Sequence, residues 1–229
     1  MAVYTQIDDG DLETFVTGFD IGAVQACDGI AQGIENSNFR LRTETGVYIL
    51  TLYEKRVRLE DLPFYLNLMN HLAARGFPCP TPVANRQGAT LHTLSGRPAA
   101  IVTFLAGDWP RESEISPAHC RDIGAAAARL HLAGADFPAR RANDLSVGVW
   151  RRLYTPLAAL AEDLRPAFSA WIEDELAFLE PNWPTGLPAG TVHTDMFPDN
   201  VFFKDGALSG VINSTSPAPI RWRSISPSA

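Results

Sequence analysis

Apolar and polar positions alternate in two short runs early in the chain, 38–42 and 47–53, the second rich in β-branched and aromatic residues and reached through Thr45-Gly46. A period of two, closed by a turn pair, predicts a β-hairpin. The period then lengthens. Leu62, Leu66, Met69 and Leu72 recur at helical spacing between Asp61 and Gly76, which predicts an amphipathic helix. Pro78, Pro80 and Pro82 predict an extended segment, because each removes a backbone donor, and the apolar run 99–105 predicts a buried strand that ends before Gly107.

The second half is mostly helical in pattern. Ser116 followed by Pro117 supplies an N-cap and a first-turn residue, and the apolar face Ile123, Ala127, Leu130 runs on to Gly134. Further helices are predicted over 150–164, interrupted near Pro156, and over 168–179. Strand-like pieces return at 190–193, 200–203 and 208–212 and bracket one polar loop. From 214 to 229 the pattern is lost: three prolines and five serines without periodicity predict an unstructured tail. The order of elements, a strand-rich part followed by a helical part, predicts an α+β fold.

Composition narrows the partners. With 46% hydrophobic residues, the 229-residue chain can fill a sizeable core. Its 19 Lys+Arg against 26 Asp+Glu give a formal charge of −7, which disfavours a nucleic-acid partner. No apolar run approaches the roughly 20 residues of a membrane span, so no membrane partner is expected. The polar, acidic start lacks the character of a signal peptide, and Cys27, Cys79 and Cys120 are odd in number and widely spaced. Reduced thiols and a cytoplasmic location are the expectation.

The polar loop carries the chemistry: His193-Thr194-Asp195-Met196-Phe197-Pro198-Asp199-Asn200. One carboxylate held between strands can accept a proton from a hydroxyl nucleophile, and an amide five positions later can offer an oxygen to Mg²⁺. Upstream, 29–38 places Gly29 and Gly33 ahead of Asn36, Ser37 and Asn38, just before a strand. Such a loop can bring backbone N–H groups to a phosphate, although Gly33 equally suits a plain hairpin turn. The loop at 193–200 resembles the catalytic loop of protein kinases, and still more that of the aminoglycoside-phosphotransferase-like small-molecule kinases.

Longer stretches, 35–39, 48–56, 77–82, 96–104, 130–138 and 193–203, resemble the homoserine kinases of that family. The resemblance implies a bilobal protein-kinase-like fold: a β-rich nucleotide-binding lobe and hinge over 1–106, a helical catalytic lobe over 107–213 that is incomplete, and an aberrant tail over 214–229. It implies ATP and Mg²⁺ as cofactors and homoserine as the small-molecule substrate, phosphorylated on its side-chain hydroxyl in threonine biosynthesis. Asp195 would be the catalytic base, His193 would brace the loop and Asn200 would hold the metal. Gly29, Gly33, Asn36, Ser37 and Asn38 would cover the phosphates, and Thr103, Phe104 and Leu105 would form the adenine hinge. Lys55 is either the phosphate-contacting lysine or a solvated strand-end lysine, with Glu60 and Asp61 as partners or as an acidic helix start. His131 reads as a packed histidine. Trp109, Trp150, Trp171 and Trp183 read as core or lobe-interface residues.

One position departs from the family. Asn213 stands where the resemblance calls for a second metal carboxylate, and an amide would hold Mg²⁺ more weakly. The codons allowed for 214–229 admit a shifted reading that resembles the family's continuation. The tail is therefore either a frameshift product of a truncated, impaired kinase or the natural end of a short variant. A non-catalytic nucleotide-binding protein of the same fold, or a kinase for another small alcohol such as choline or an aminoglycoside, are the alternatives.

Overall fold

The computed structural model describes residues 5–31, 36–54, 58–140, 146–184, 190–212 and 223–224. It divides into two compact units, Met1–Ala139 with Thr191–Trp222, and Arg140–Gly190 with Arg223–Ala229. The lobe boundary expected at 106/107 falls inside the first of these.

The first unit opens with α1 (Asp9–Val16), capped by the Asp8 carboxylate, which accepts from the N–H groups of Gly10 and Asp11. Five strands follow: β1 (Val24–Gly29), β2 (Ser37–Thr43), β3 (Gly46–Leu52), β4 (His92–Leu94) and β5 (Arg97–Thr103). They form one antiparallel sheet in the order β1-β2-β3-β5-β4. Alternation sorts its faces. Phe39, Leu41, Leu50, Leu52 and Ile101 pack against Leu12 and Val16 of α1, while Ala100 and Tyr53 pack beneath Leu62, Leu66 and Met69 of α2 (Leu62–Ala74). The opposite side of α2, through Tyr65, Leu68 and Leu72, packs on Ala126 and Leu130 of α3 (Pro117–Ala133) and on Val201 and Val211. A helix buried on two sides carries six buried residues, more than a one-faced stripe provides.

The first unit ends in β6 (Thr191–Val192), β7 (Val201–Lys204) and β8 (Ala207–Val211). β7 and β8 form a hairpin turned by Asp205 and Gly206, both at positive φ, the backbone a two-residue connection requires. The expected hairpin, α2, α3 and late strands are all observed.

The second unit contains α4 (Val147–Tyr154), α5 (Ala158–Leu164) and α6 (Phe168–Asn182), with a short 3-10 turn at Thr155–Leu157 where Pro156 was expected to interrupt the helix. Arg151 on α4 pairs with both Glu173 and Glu180 of α6, at 2.6 Å each. Leu157, Leu160, Leu164, Trp171 and Phe178 are all exposed.

Two expectations need correction. Trp109, Trp171 and Trp183 are 39%, 51% and 36% exposed, which removes the core alternative of the core-or-interface expectation; Trp109 meets Phe202 edge-on, Trp171 stacks on Phe168 and Trp183 meets Trp150 edge-on. His131 is exposed, because it lies about 100° around α3 from the buried Leu130.

Candidate active site

Short strands hold a tight turn between His193 and Asn200. Thr194 adopts φ +65°, a left-handed conformation uncommon outside glycine and one that concentrates at functional sites. His193 is 3% exposed, and its Nδ1 accepts the backbone N–H of Asp195 at 3.3 Å. Burial holds this imidazole down at a pKa of about 4, against the opposing pull of the Asp195 charge and a backbone hydrogen bond at Ile212. It is therefore neutral at pH 7, as an acceptor at Nδ1 must be.

Asn200 closes the turn. Its Nδ2 donates to Asp195 twice, to the backbone oxygen at 2.8 Å and to Oδ2 at 3.1 Å, and its own N–H donates to Phe197 O at 2.9 Å. With the amide nitrogen committed to the carboxylate, Oδ1 points elsewhere; it is buried and has no hydrogen-bond partner among the described residues. A buried, unpartnered amide oxygen beside a carboxylate fits a hard cation that takes its remaining ligands from phosphate oxygens and water. Among the described residues no group of three His, Cys, Asp or Glu could enclose a metal unaided.

Asp195 also lines a cavity of about 630 Å³ together with Glu112, Ile115, Phe197, Pro198 and Asp199. Sequence reasoning passed over Glu112 and Ile115, which lie about 80 residues before the turn in a loop without periodic signal. Proximity to Asp195 arises only in the fold.

Thr103, Phe104 and Leu105, expected to form the hinge, sit at the end of β5 and just beyond it. Thr103 pairs with Thr81 of the extended proline segment: its N–H donates to Thr81 O at 2.9 Å and its Oγ1 accepts the Thr81 N–H at 2.9 Å. Phe104 lies under the guanidinium of Arg40, 5.4 Å from ring centroid to carbon. Past Leu105 the chain bridges to β7, with Asp108 N–H donating to Phe203 O at 3.0 Å and Phe203 N–H to Asp108 O at 2.9 Å. Gly107, at φ +127°, permits this approach: a Cβ there would stand 2.6 Å from Phe203 O. The segment that follows β5 and the β7–β8 hairpin that follows the 193–200 turn are thus bonded to each other.

At the other end of the sheet, Gly29 closes β1 opposite Phe39, and Ile30 N–H donates to Asn38 O at 2.8 Å. Ser37 is fully buried and Asn38 is 8% exposed, so these side chains point into the protein. Opposite Asn38 on β3 is Thr51, whose hydroxyl donates to Asn38 Oδ1 at 2.8 Å. Asn36 Oδ1 accepts the N–H of Glu54 at 3.3 Å. Gly33, Lys55 and Asn213 lie outside the described residues. Asp61 pairs with Arg58 at 2.9 Å.

The model of the phosphotransferase enzyme family matches residues 27–212, which is most of the chain. The chain belongs to that family. Among the relatives of this chain, the homoserine kinase of Rhodospirillum rubrum is 57% identical over 213 residues, covering 93% of this chain and 66% of its own length. That of Xanthobacter autotrophicus is 55% identical with the same coverage. The chain spans just under two thirds of the length of these curated relatives. Solved phosphotransferases share the fold at low identity. An amicoumacin kinase, in complex with AMP-PNP and Ca²⁺, superposes with a TM-score of 0.67 at 14% identity over 90% of this chain and 63% of its own. A choline kinase from Cryptosporidium parvum gives 0.66 at 14% identity, over 90% and 64%. The α+β fold expected from the element order, kinase-like as the resemblance implied, is therefore that of the family. Among the described residues no helix is long and apolar enough to cross a membrane.

Proposed function

We propose that the chain carries the centre of an ATP-dependent homoserine kinase, forming O-phosphohomoserine and ADP. The observation that carries this reading is the Asp195–Asn200 pair: one amide orients the carboxylate through Oδ2 and leaves a buried oxygen for a cation. Asp195, facing the cavity, would accept the proton of the homoserine hydroxyl as its oxygen bonds to the γ-phosphorus and the bond to the β–γ bridging oxygen breaks, releasing ADP. Neutral His193 would hold the Asp195 backbone through its Nδ1 acceptor. Asn200 Oδ1 would hold Mg²⁺, which when bound neutralises phosphate charge. Residues 103–105 would receive adenine, and the backbone around Gly29 and Asn36–Asn38 the phosphates. The lobe division at 106/107 belongs to the same reading.

The choice of homoserine over other alcohols is supported by the names and identities of the curated relatives. The test is ADP release measured with homoserine, choline and an aminoglycoside in turn. Stimulation by homoserine alone is expected, and stimulation by another alcohol in its place would overturn the substrate. A non-catalytic nucleotide-binding protein is the second reading, favoured by Asn213 at a position where the family resemblance calls for a carboxylate. ATP binding without γ-phosphate transfer to any of the three alcohols would support it.

A further inference from the structure

At the end of the sheet where β1 closes and β2 opens, one largely buried carboxylate gathers groups from three other stretches of chain. The Glu54 side chain is 9% exposed. Its Oε1 accepts the Ser37 hydroxyl at 2.8 Å and the Thr5 hydroxyl at 2.7 Å, and its Oε2 pairs with Arg97 Nε at 3.2 Å. Ser37 Oγ accepts the Thr5 N–H at 3.1 Å, and the Glu54 N–H donates to Asn36 Oδ1. The knot thus joins the chain start, the first residues of β2, the end of β3 and the start of β5.

Stability alone is a poor reason for such a knot. β2 is already paired with β3 along its full length, and the sheet is already held by the α1 core. The ion pair adds little, because the largely buried Glu54 carboxylate loses water while the Arg97 side chain, 36% exposed, stays screened by it. What it does supply is a fixed position, since each partner of a satisfied buried network has one place to be. The positions fixed here are Asn36 and Ser37, the backbone that re-enters the sheet beside the phosphates in the nucleotide reading.

We infer that Glu54 is a positioning residue for nucleotide binding: through Ser37 and Asn36 it sets where the re-entering backbone N–H groups stand, and so governs grip on the phosphates and not on adenine. This inference rests on the proposed nucleotide cleft. The hinge at 103–105 is anchored separately, through Thr81 and Phe203, so the two ends of a nucleotide are held by independent supports.

Calorimetric titration of the 229-residue chain with ATP, ADP and adenosine tests this, comparing wild type, Glu54→Gln and Ser37→Ala. Loss of a hydrogen bond to a charged group shifts the equilibrium that the bond supports by about tenfold or more. Glu54→Gln should raise the Kd for ATP and ADP by about that factor and leave adenosine within about twofold, and Ser37→Ala should move ATP the same way by less. Equal loss for adenosine and ATP, or no loss for either, would overturn the inference even if the melting temperature falls. If Glu54→Gln does not fold, Ser37→Ala, which removes one partner and leaves the ion pair, decides by the same ratio. Wild type that binds none of the three would overturn the nucleotide cleft itself, and this inference with it.

Discussion

The turn at 193–200 and the mouth of the sheet around Ser37 are built on opposite plans. The turn is local: His193, Asp195 and Asn200 lie within eight residues, and every hydrogen bond described between them is made inside that span. The mouth is assembled at long range, with Glu54 reaching Ser37 across 17 residues and Thr5 across 49. In a local arrangement the chemistry and its support are the same few residues. In a long-range one they separate, so chemistry and grip should respond to different substitutions.

The largest effect is expected at the turn. Asp195→Asn removes the proposed proton acceptor while keeping the shape, and should lower phosphoryl transfer by roughly 10²- to 10⁴-fold with ATP affinity unchanged, as read by single-turnover transfer and calorimetry. Loss of affinity in the same proportion would erase the distinction between the two regions.

Acid should strike the turn next. His193 titrates near 4 when folded and near 6.5 when unfolded, so the unfolded chain takes up the proton first as pH falls. Stability that is intact above about pH 6.5 should decline towards pH 4, by about 3 kcal/mol if the whole difference is expressed. Denaturant titrations across this window check it, and His193→Asn should flatten the slope.

A smaller cost is expected where the hinge meets the β7–β8 hairpin. Gly107→Ala places a Cβ against Phe203 O at a φ that side chains avoid, and should destabilise the fold by roughly 1–3 kcal/mol, measured by urea unfolding. If adenosine affinity falls with it while Asp195 chemistry at saturating ATP persists, the hinge belongs with the long-range support. The smallest effect is expected outside both regions. Arg75 bonds Asp136 at the surface and holds its carboxyl below the usual range, yet Arg75→Ala should leave the unfolding midpoint unresolved from wild type, because exposed pairs are screened by solvent.

The same contrast governs what could be read without a fold. The spacing of Asp195 and Asn200 is written in consecutive residues, and the helical period of Leu62, Leu66, Met69 and Leu72 matches four side chains at 1% exposure or less. Glu54 was legible only as one letter of a motif, because nothing in 48–56 shows that Thr5 and Arg97 converge on it. α1 fully buries only Leu12 and Val16, and β1 is an edge strand with a register shift between Val24 and Ala26, so neither presents a clean period. β4, three residues long, has too little length to show one. Exposed Trp109, Trp171 and Trp183 mislead in the other direction, since a large apolar side chain carries no sign of whether a neighbour covers it.

The most direct test of the divided plan is γ-phosphate transfer from labelled ATP to homoserine, followed as a function of ATP concentration in wild type, Asp195→Asn and Glu54→Gln. Asp195→Asn should lower the plateau and leave the half-saturating ATP concentration in place, while Glu54→Gln should shift that concentration upward by about tenfold and keep the plateau within about twofold of wild type. A plateau unaffected by Asp195→Asn, or one that Glu54→Gln lowers as deeply as Asp195→Asn does, would contradict the divided plan.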